Sequence, residues 1–316
     1  MSDVKLGILL ASQAATWPEL LDSARRVDRL GYAHLWTWDH LYAIFGEPYQ
    51  PIFEGWTLLS AWARETERVH LGLLVGAVPF RNPGLVAKMA ATLDHVSDGR
   101  AILGMGGAWF ELEHRAHGID FGKSVGERLD WLDEAVGAMR RVLDGESMTS
   151  EPGGHYRFDD LRHAPLPVQQ HVPIMIGGSG EKKTLRTVAR YADMWNGMGP
   201  IDKMEHKIEV LRGHCDAVGR DIAEIEFTLG VKVTIRDSEA EAVRVWKASM
   251  ERNQTPMARV ENDDTFWNGT PEQLADRLRP YVELGFRTII SEQFTPYDVE
   301  TLERFIGEVK PLVDAG

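Results

Sequence analysis

The residues best suited to chemistry are Asp39 and His40, which follow the apolar stretch 33–37 in the order Trp38-Asp39-His40. A histidine beside a carboxylate can give or take a proton near neutral pH, and the Trp38 indole can wall a flat ring. Neighbours on a strand point to opposite sides, so adjacency alone does not bring Asp39 and His40 together. A helix cap for Asp39 and a core position for His40 describe the same letters equally well. A second candidate is Gly177-Gly178-Ser179-Gly180, which ends the apolar stretch 172–176. Glycine lets backbone approach a ligand closely, and the helical pattern that starts near Lys182 and Lys183 offers bare N–H groups to an anion. That geometry describes either a phosphate seat or a tight strand-to-helix turn.

Two further strand ends carry weaker signals. Leu73-Leu74-Val75-Gly76-Ala77 is small and apolar, suited to packing under a flat aromatic ligand but unable to supply acid or base. Gly104-Met105-Gly106-Gly107-Ala108-Trp109 matches the dinucleotide fingerprint only in part, since the third glycine is missing. Glu111, Glu113 and His114 form a carboxylate–histidine group whose spacing fits no metal motif, so no metal centre is expected. His114, His117, His155 and His163 read as surface or hydrogen-bonded structural residues. Cys215 is the lone cysteine, which excludes an internal disulfide and a multi-cysteine metal site.

The elements that must hold these residues repeat as a short apolar strand followed by an amphipathic helix. Strands are expected at 4–10, 33–37, 69–77, 100–105, 172–176, 194–196, 225–235 and 288–291. Helices are expected at about 17–30, 54–66, 83–96, 125–143, 181–191, 202–218, 271–284 and 298–313. Thr16 with Glu19, and Thr270 with Gln273, have capping-box spacing, and Pro18 and Pro271 sit in the first turns that follow. Residues 107–124, 144–171 and 237–264 read as irregular or inserted segments. Eight such units in 316 residues predict a (β/α)8 TIM barrel with insertions, read as one domain over 1–316, rather than an open doubly wound sheet. Its active face is then the C-terminal ends of the strands, where every candidate above lies.

Composition narrows the partners. A net charge of −13 argues against nucleic acid or an anionic membrane as the main partner, so an anionic ligand must be held by local groups. No apolar run approaches the ~18 residues of a membrane span, and no secretory leader is evident, so a cytoplasmic enzyme acting on a small molecule is expected.

With these positions in view, the chain resembles the luciferase-like monooxygenase superfamily, and more narrowly its coenzyme F420-dependent oxidoreductases. The resemblance rests on residues 31–41, which read GYAHLWTWDHL, and on Arg81-Asn82-Pro83 with the stretch 87–94. It continues through Ser97-Asp98-Gly99-Arg100, the stretch 103–109, Ile176-Gly177-Gly178-Ser179-Gly180 and residues 189–196. These blocks are collinear over roughly residues 4–200. The resemblance implies a luciferase-like barrel and hydride transfer at a flavin or deazaflavin ring. Asp39 would contact the cofactor and His40 would donate a proton near the hydride-accepting carbon. Leu74 and Val75 would back the ring, often through a non-proline cis peptide, with Ala77 beside them. Gly106 and Gly107 would line the ring edge, and Gly177 to Gly180 would bind the phosphate.

One departure bears on the substrate. Sugar-phosphate dehydrogenases of this superfamily carry a catalytic glutamate after the strand-four glycines, where this chain has Trp109. Trp109 is therefore expected to narrow a pocket, walled also by Trp38, for an apolar or aromatic substrate, and Glu113 is the alternative acid if it folds back. The glycine turn followed by Lys182, Lys183 and Arg186 favours coenzyme F420 over FMN. An FMN-dependent monooxygenase using O2 is the alternative, and a non-catalytic flavin- or deazaflavin-binding protein is the alternative of another class. By resemblance a homodimer is expected, with Trp62 and Trp131 as either interface or core residues.

Overall fold

The computed structural model describes residues 4–150 and 152–315. Strand β1 (Lys5–Leu10) buries every side chain after the first, as a parallel strand covered on both faces must. Then follow α1 (Trp17–Leu30), β2 (His34–Thr37), α2 (Gly55–Glu65), β3 (His70–Leu73), β4 (Gly76–Ala77) and α3 (Pro83–Val96). The middle of the chain forms β5 (Ala101–Gly106), α4 (Glu111–His117), α5 (Val125–Leu143), β6 (Ile174–Gly177), α6 (Thr184–Tyr191) and β7 (Met194–Gly197). The last part forms α7 (Ile201–Val218), β8 (Glu226–Ile235), α8 (Glu239–Arg252), β9 (Phe266–Gly269), α9 (Pro271–Glu283), β10 (Phe286–Gln293), α10 (Val299–Arg304) and α11 (Lys310–Asp314).

Strands β1, β2, β3, β5, β6, β7, β8 and β10 pair in parallel in that order, and β10 returns to both β8 and β1. The sheet therefore closes, giving the expected (β/α)8 TIM barrel. Leu9, Trp36, Ile102, Met175 and Ile290, from five of these strands, share one apolar cluster that fills the barrel. The larger apolar layer lies between the strands and the surrounding helices, and Trp62 and Trp131 are buried in it. Both capping boxes form: Thr16 with Glu19 opens α1 and Thr270 with Gln273 opens α9. Gly31 closes α1 at a φ of 87°, a conformation glycine adopts without a Cβ penalty. Among the described residues no helix is long and apolar enough to cross a membrane.

Several boundaries differ from the sequence expectation, each for a physical reason. The third strand splits into β3 and β4 around a cis Leu74–Val75 peptide. Segment 107–124 contains a helix, α4, closed by Gly118 in the left-handed region. The inserted segment 237–264 is mostly helical. Its signal was present, since Ser238 caps Glu241 and Ala242, Trp246 and Met250 recur every four residues on the buried face of α8. Trp246 and Met250 join the inner cluster with Phe266 and Phe294, so α8 and β9 roof part of the barrel mouth. Helix α6 starts at Thr184, three residues later than expected, because residues 181–183 form a turn. The last helix is interrupted by a π turn at Phe305–Val309.

At the opposite end of the barrel, His34 is 5% exposed and its Nδ1 has no partner. Burial, helped by His70 and Lys5, pushes this imidazole from 6.5 down to about 3, so it stays neutral when folded. The unfolded chain binds the proton more readily between these values. His34 therefore adds no pH dependence above 6.5 and costs stability as pH falls toward 3. The expected loss is about 2 kcal/mol between pH 6.5 and pH 5. Urea unfolding at the two pH values should show a shallower decline for His34→Gln; an equal decline in both proteins would remove this explanation.

Candidate active site

A cavity of about 550 Å³ opens at the C-terminal ends of the strands and reaches from His40 to the glycine turn after β6. Every residue given above a role toward proton transfer, cofactor or substrate wall lines it except Ser179, and except Lys182, Lys183 and Arg186, which follow the glycine turn. The cavity is where a barrel of this type holds its chemistry.

His40 leaves the end of β2 with 15% of its side chain exposed, and its Nδ1 lies 2.9 Å from Glu113 Oε1. Glu113 comes from α4 and is 1% exposed. Its second oxygen accepts the backbone N–H of Leu41 at 2.8 Å and that of Tyr42 at 3.4 Å. An acceptor oxygen at this place orients the imidazole, and it fixes His40 in the tautomer that donates from Nδ1. Nε2 is left without a protein partner among the described residues. Trp109 and Phe110 meet the imidazole edge-on, at 5.6 and 6.2 Å between ring centres. Glu113 does fold back into the cavity, as its own helix within segment 107–124 makes possible. His114 and His117 bond the carbonyls of Phe110 and Glu113, and their rings pack against Phe80 and Phe121 and against Tyr42, respectively, a structural role.

Asp39 turns the other way. Its Oδ2 and Oδ1 accept Arg81 Nη1 and Nη2 at 2.8 and 3.0 Å, and Oδ2 also accepts the Ala77 N–H at 2.9 Å. Arg81 spans further to Glu54 Oε1 at 2.8 Å. Burial pushes the Asp39 carboxyl up, while the guanidinium and the N–H oppose that shift. Since every partner is a donor, the ion pair is the form this geometry supports. Arg81 was not among the sequence candidates, although Arg81-Asn82-Pro83 was one of the blocks that drew attention.

The backbone of Leu74 and Val75 forms one wall of the cavity. The glycines facing it are small because of Val75 itself. A Cβ on Gly106 would lie 2.6 Å from Val75 Cγ2, and one on Gly177 would lie 2.9 Å from Val75 Cγ1. Gly106→Ala is therefore expected to cost about 1–3 kcal/mol through overpacking. Val75→Ala in the same chain should recover part of that loss, as read from urea midpoints. A neutral Gly106→Ala would show that Val75 can move aside.

At the far end, Gly178 takes a φ of 116°, and the Trp195 indole donates to its carbonyl at 2.9 Å. Lys183 is not free for a ligand: its ammonium bonds Gly126 O at 2.9 Å and Asp130 Oδ2 at 2.7 Å on α5. The open N-terminus of α6 and Thr184 remain on the cavity side. Trp38, 4% exposed, stacks on Phe45 and meets Phe294 edge-on, making an apolar side wall. Trp109 is 59% exposed and stands at the rim beside His40. Buried Gln13 ties that wall down, bonding the backbone of Ile44 and Phe45 and the Asn253 side chain from the roof. Lys232 and Glu292, at the ends of β8 and β10, also line the cavity. The sequence reading missed both: Lys232 lies inside the strand expected at 225–235, where a charge carries no periodic signal, and Glu292, just past the strand expected at 288–291, was not weighed.

The luciferase-like monooxygenase family model matches residues 4–288. An uncharacterized protein of Mycobacterium tuberculosis is 31% identical over 173 residues, 55% of this chain and 60% of that one, so the chain spans less than two thirds of this relative's length. A coenzyme F420-dependent glucose-6-phosphate dehydrogenase of Microbacterium testaceum is 28% identical over 331 residues, 96% of each chain. Among solved structures, an F420-dependent secondary alcohol dehydrogenase in complex with an F420–acetone adduct superposes with a TM-score of 0.83 at 20% identity, covering 98% of this chain and 99% of that one.

Proposed function

The chain belongs to the luciferase-like monooxygenase family, and on that premise we propose that it is an oxidoreductase exchanging a hydride between coenzyme F420 and a small, uncharged, mainly apolar substrate. The observation that carries this reading is the His40–Glu113 pair at the mouth of the barrel, 2.9 Å apart and aimed beside the cavity wall made by Leu74 and Val75. The two F420-dependent proteins named above support the choice of cofactor.

The residues present fit a flat, phosphate-bearing cofactor. The Leu74–Val75 backbone, Ala77 and the edges of Gly106 and Gly107 would hold the ring, while Gly177, Gly178 and Gly180 with the N-terminus of α6 would hold the phosphate. Arg81 neutralises Asp39, which in turn accepts the Ala77 N–H, so Asp39 would act on the cofactor through a rigid neighbourhood. When bound, the deazaflavin supplies a hydride acceptor or donor that does not activate O2. His40 Nε2 takes the proton from a substrate hydroxyl in one direction and returns it to the carbonyl in the other. Glu113 keeps the imidazole oriented and stabilises its protonated form. Trp38, Phe45 and Trp109 exclude water from the reacting carbon and favour a hydrocarbon surface. A sugar phosphate is disfavoured, since Trp109 stands at the rim and Glu292 and Asp263 put negative charge near the only lysine lining the cavity among the described residues.

Titrating the purified protein with coenzyme F420 and separately with FMN, followed by fluorescence, tests the assignment. The expected result is saturable F420 binding with little response to FMN. Tight FMN binding without any F420 response would overturn it and place the chain with O2-using members of the family. The same reading carries a cytoplasmic homodimer, checked by light scattering coupled to size exclusion.

A further inference from the structure

The hydride-transfer reading leaves one charged pair in the cavity without a task. Lys232 and Glu292 stand side by side at the ends of β8 and β10, which pair in the barrel. The Lys232 side chain is 7% exposed, and its ammonium bonds Thr265 Oγ1 at 2.6 Å. It also lies 3.6 Å from Asp263 Oδ2 and 4.8 Å from the Phe266 ring centre. Glu292 Oε2 is 3.8 Å from the ammonium, too far for a hydrogen bond. Glu292 is the more demanding partner: burial pushes its carboxyl up, opposed by Lys232 and by the Trp38 indole beside it. His40 lies within electrostatic reach of the same carboxyl.

The pair also sits at a junction. Lys232 and Glu292 line the main cavity and an adjoining space of about 320 Å³ under α8, whose walls include Trp246, Phe266 and Phe294. A group placed there meets an unused ammonium N–H, a carboxyl oxygen, and apolar surface on both sides. A free carboxylate or phosphate would face two carboxyl groups, and a free ammonium would face Lys232. A neutral group that both accepts and donates suits the 3.8 Å gap, by accepting from Lys232 and donating to Glu292.

We propose that Lys232 and Glu292 anchor a second, unreactive hydroxyl of the substrate, which is then an uncharged hydrocarbon alcohol or ketone hydroxylated away from the carbon that exchanges hydride. This rests on the hydride-transfer reading for the position of that carbon. A polar anchor at this place sets which carbon reaches His40, while the space under α8 receives whatever lies beyond the hydroxyl. Discrimination should be large, because a buried charged pair left without its ligand group is costly.

The probes are cyclohexanone and 4-hydroxycyclohexanone, with binding to the F420-loaded protein read by calorimetry and ligand-observed NMR. The hydroxylated probe should bind about 10-fold more tightly than its parent, as a hydrogen bond to a charged group allows. Glu292→Leu and Lys232→Met should abolish that preference, and Glu292→Gln should retain part of it, all with unchanged F420 affinity. Urea midpoints identify any variant that has merely lost its fold, and Glu292→Gln serves as the judged variant in that case. Equal binding of the two probes, binding of neither, or a preference that survives both substitutions overturns the proposal. Failure of the wild-type protein to bind F420 refutes the cofactor reading instead, and the anchor is then judged with the same probes on the unloaded protein.

Discussion

His40→Ala is expected to slow hydride exchange by roughly 10²–10⁴-fold, the range for a lost general acid or base, with F420 affinity nearly unchanged. The asymmetry follows from position. His40 reaches the cavity from the end of β2, whereas the surfaces assigned to the cofactor come from β4, β5 and β6. Glu113→Gln tests the other half of the pair. A glutamine can still accept the Leu41 and Tyr42 N–H groups, but its amide then turns N–H toward His40 Nδ1. That exchange moves the histidine proton to Nε2 and removes the charge that stabilises an imidazolium. The rate should therefore fall nearly as far as in His40→Ala. The double variant should be little worse than either single one, since the two act as one unit. Single-turnover rates with reduced or oxidised F420 read this directly. Additive losses would show that Glu113 has a separate role, and an unchanged rate in His40→Ala would remove the histidine from the mechanism.

The second large effect is expected at Arg81. Its guanidinium faces Asp39, which is 4% exposed, and also bonds Glu54. Arg81→Met leaves the Asp39 carboxylate buried with only the Ala77 N–H, and the expected loss is about 3–5 kcal/mol in urea unfolding at neutral pH. Asp39→Asn in the same chain should recover much of it, because a neutral amide needs no counter-charge. The sign with pH is fixed by the same physics. Burial already raises the Asp39 carboxyl, and removing Arg81 raises it further, so protonation relieves the variant as pH falls. The stability gap between Arg81→Met and the parent should narrow toward acid pH. A gap that is constant with pH would mean that Arg81 matters for packing and not for charge. Cofactor binding should weaken with stability here, since the Ala77 N–H and the wall beside it are held by the same ion pair.

How far the sequence alone reached can be seen in single elements. The eight barrel strands were legible because a strand buried on both faces reads as an unbroken apolar run, and each helix as a 3.6-residue stripe. The caps at Thr16 and Thr270 were legible because they depend on three consecutive peptide units. Helix α8 was passed over although Ser238 and the spacing of Ala242, Trp246 and Met250 announced it, since the surrounding acidic residues dominated the segment. The break between β3 and β4 carries no signal in residue type or periodicity, because Leu74 and Val75 are ordinary strand residues, and only the family resemblance pointed to the cis peptide found there.

At the site, the sequence determined which strand ends carry polar or glycine residues, and so which residues meet at the barrel mouth. It also showed that Asp39 and His40 need not meet, since adjacent side chains on an extended chain point apart. What each then found was decided only in three dimensions. His40 met Glu113, 73 positions away, and Asp39 met Arg81, 42 positions away. Local geometry has a period that the chain repeats, and a reader can count it. Long-range pairing depends on how segments such as 107–124 fold over the mouth, and on the low-dielectric interior that makes an unpaired charge too costly to leave there. That cost, and no periodicity, selected the partners of Asp39 and His40 and placed Lys232 beside Glu292.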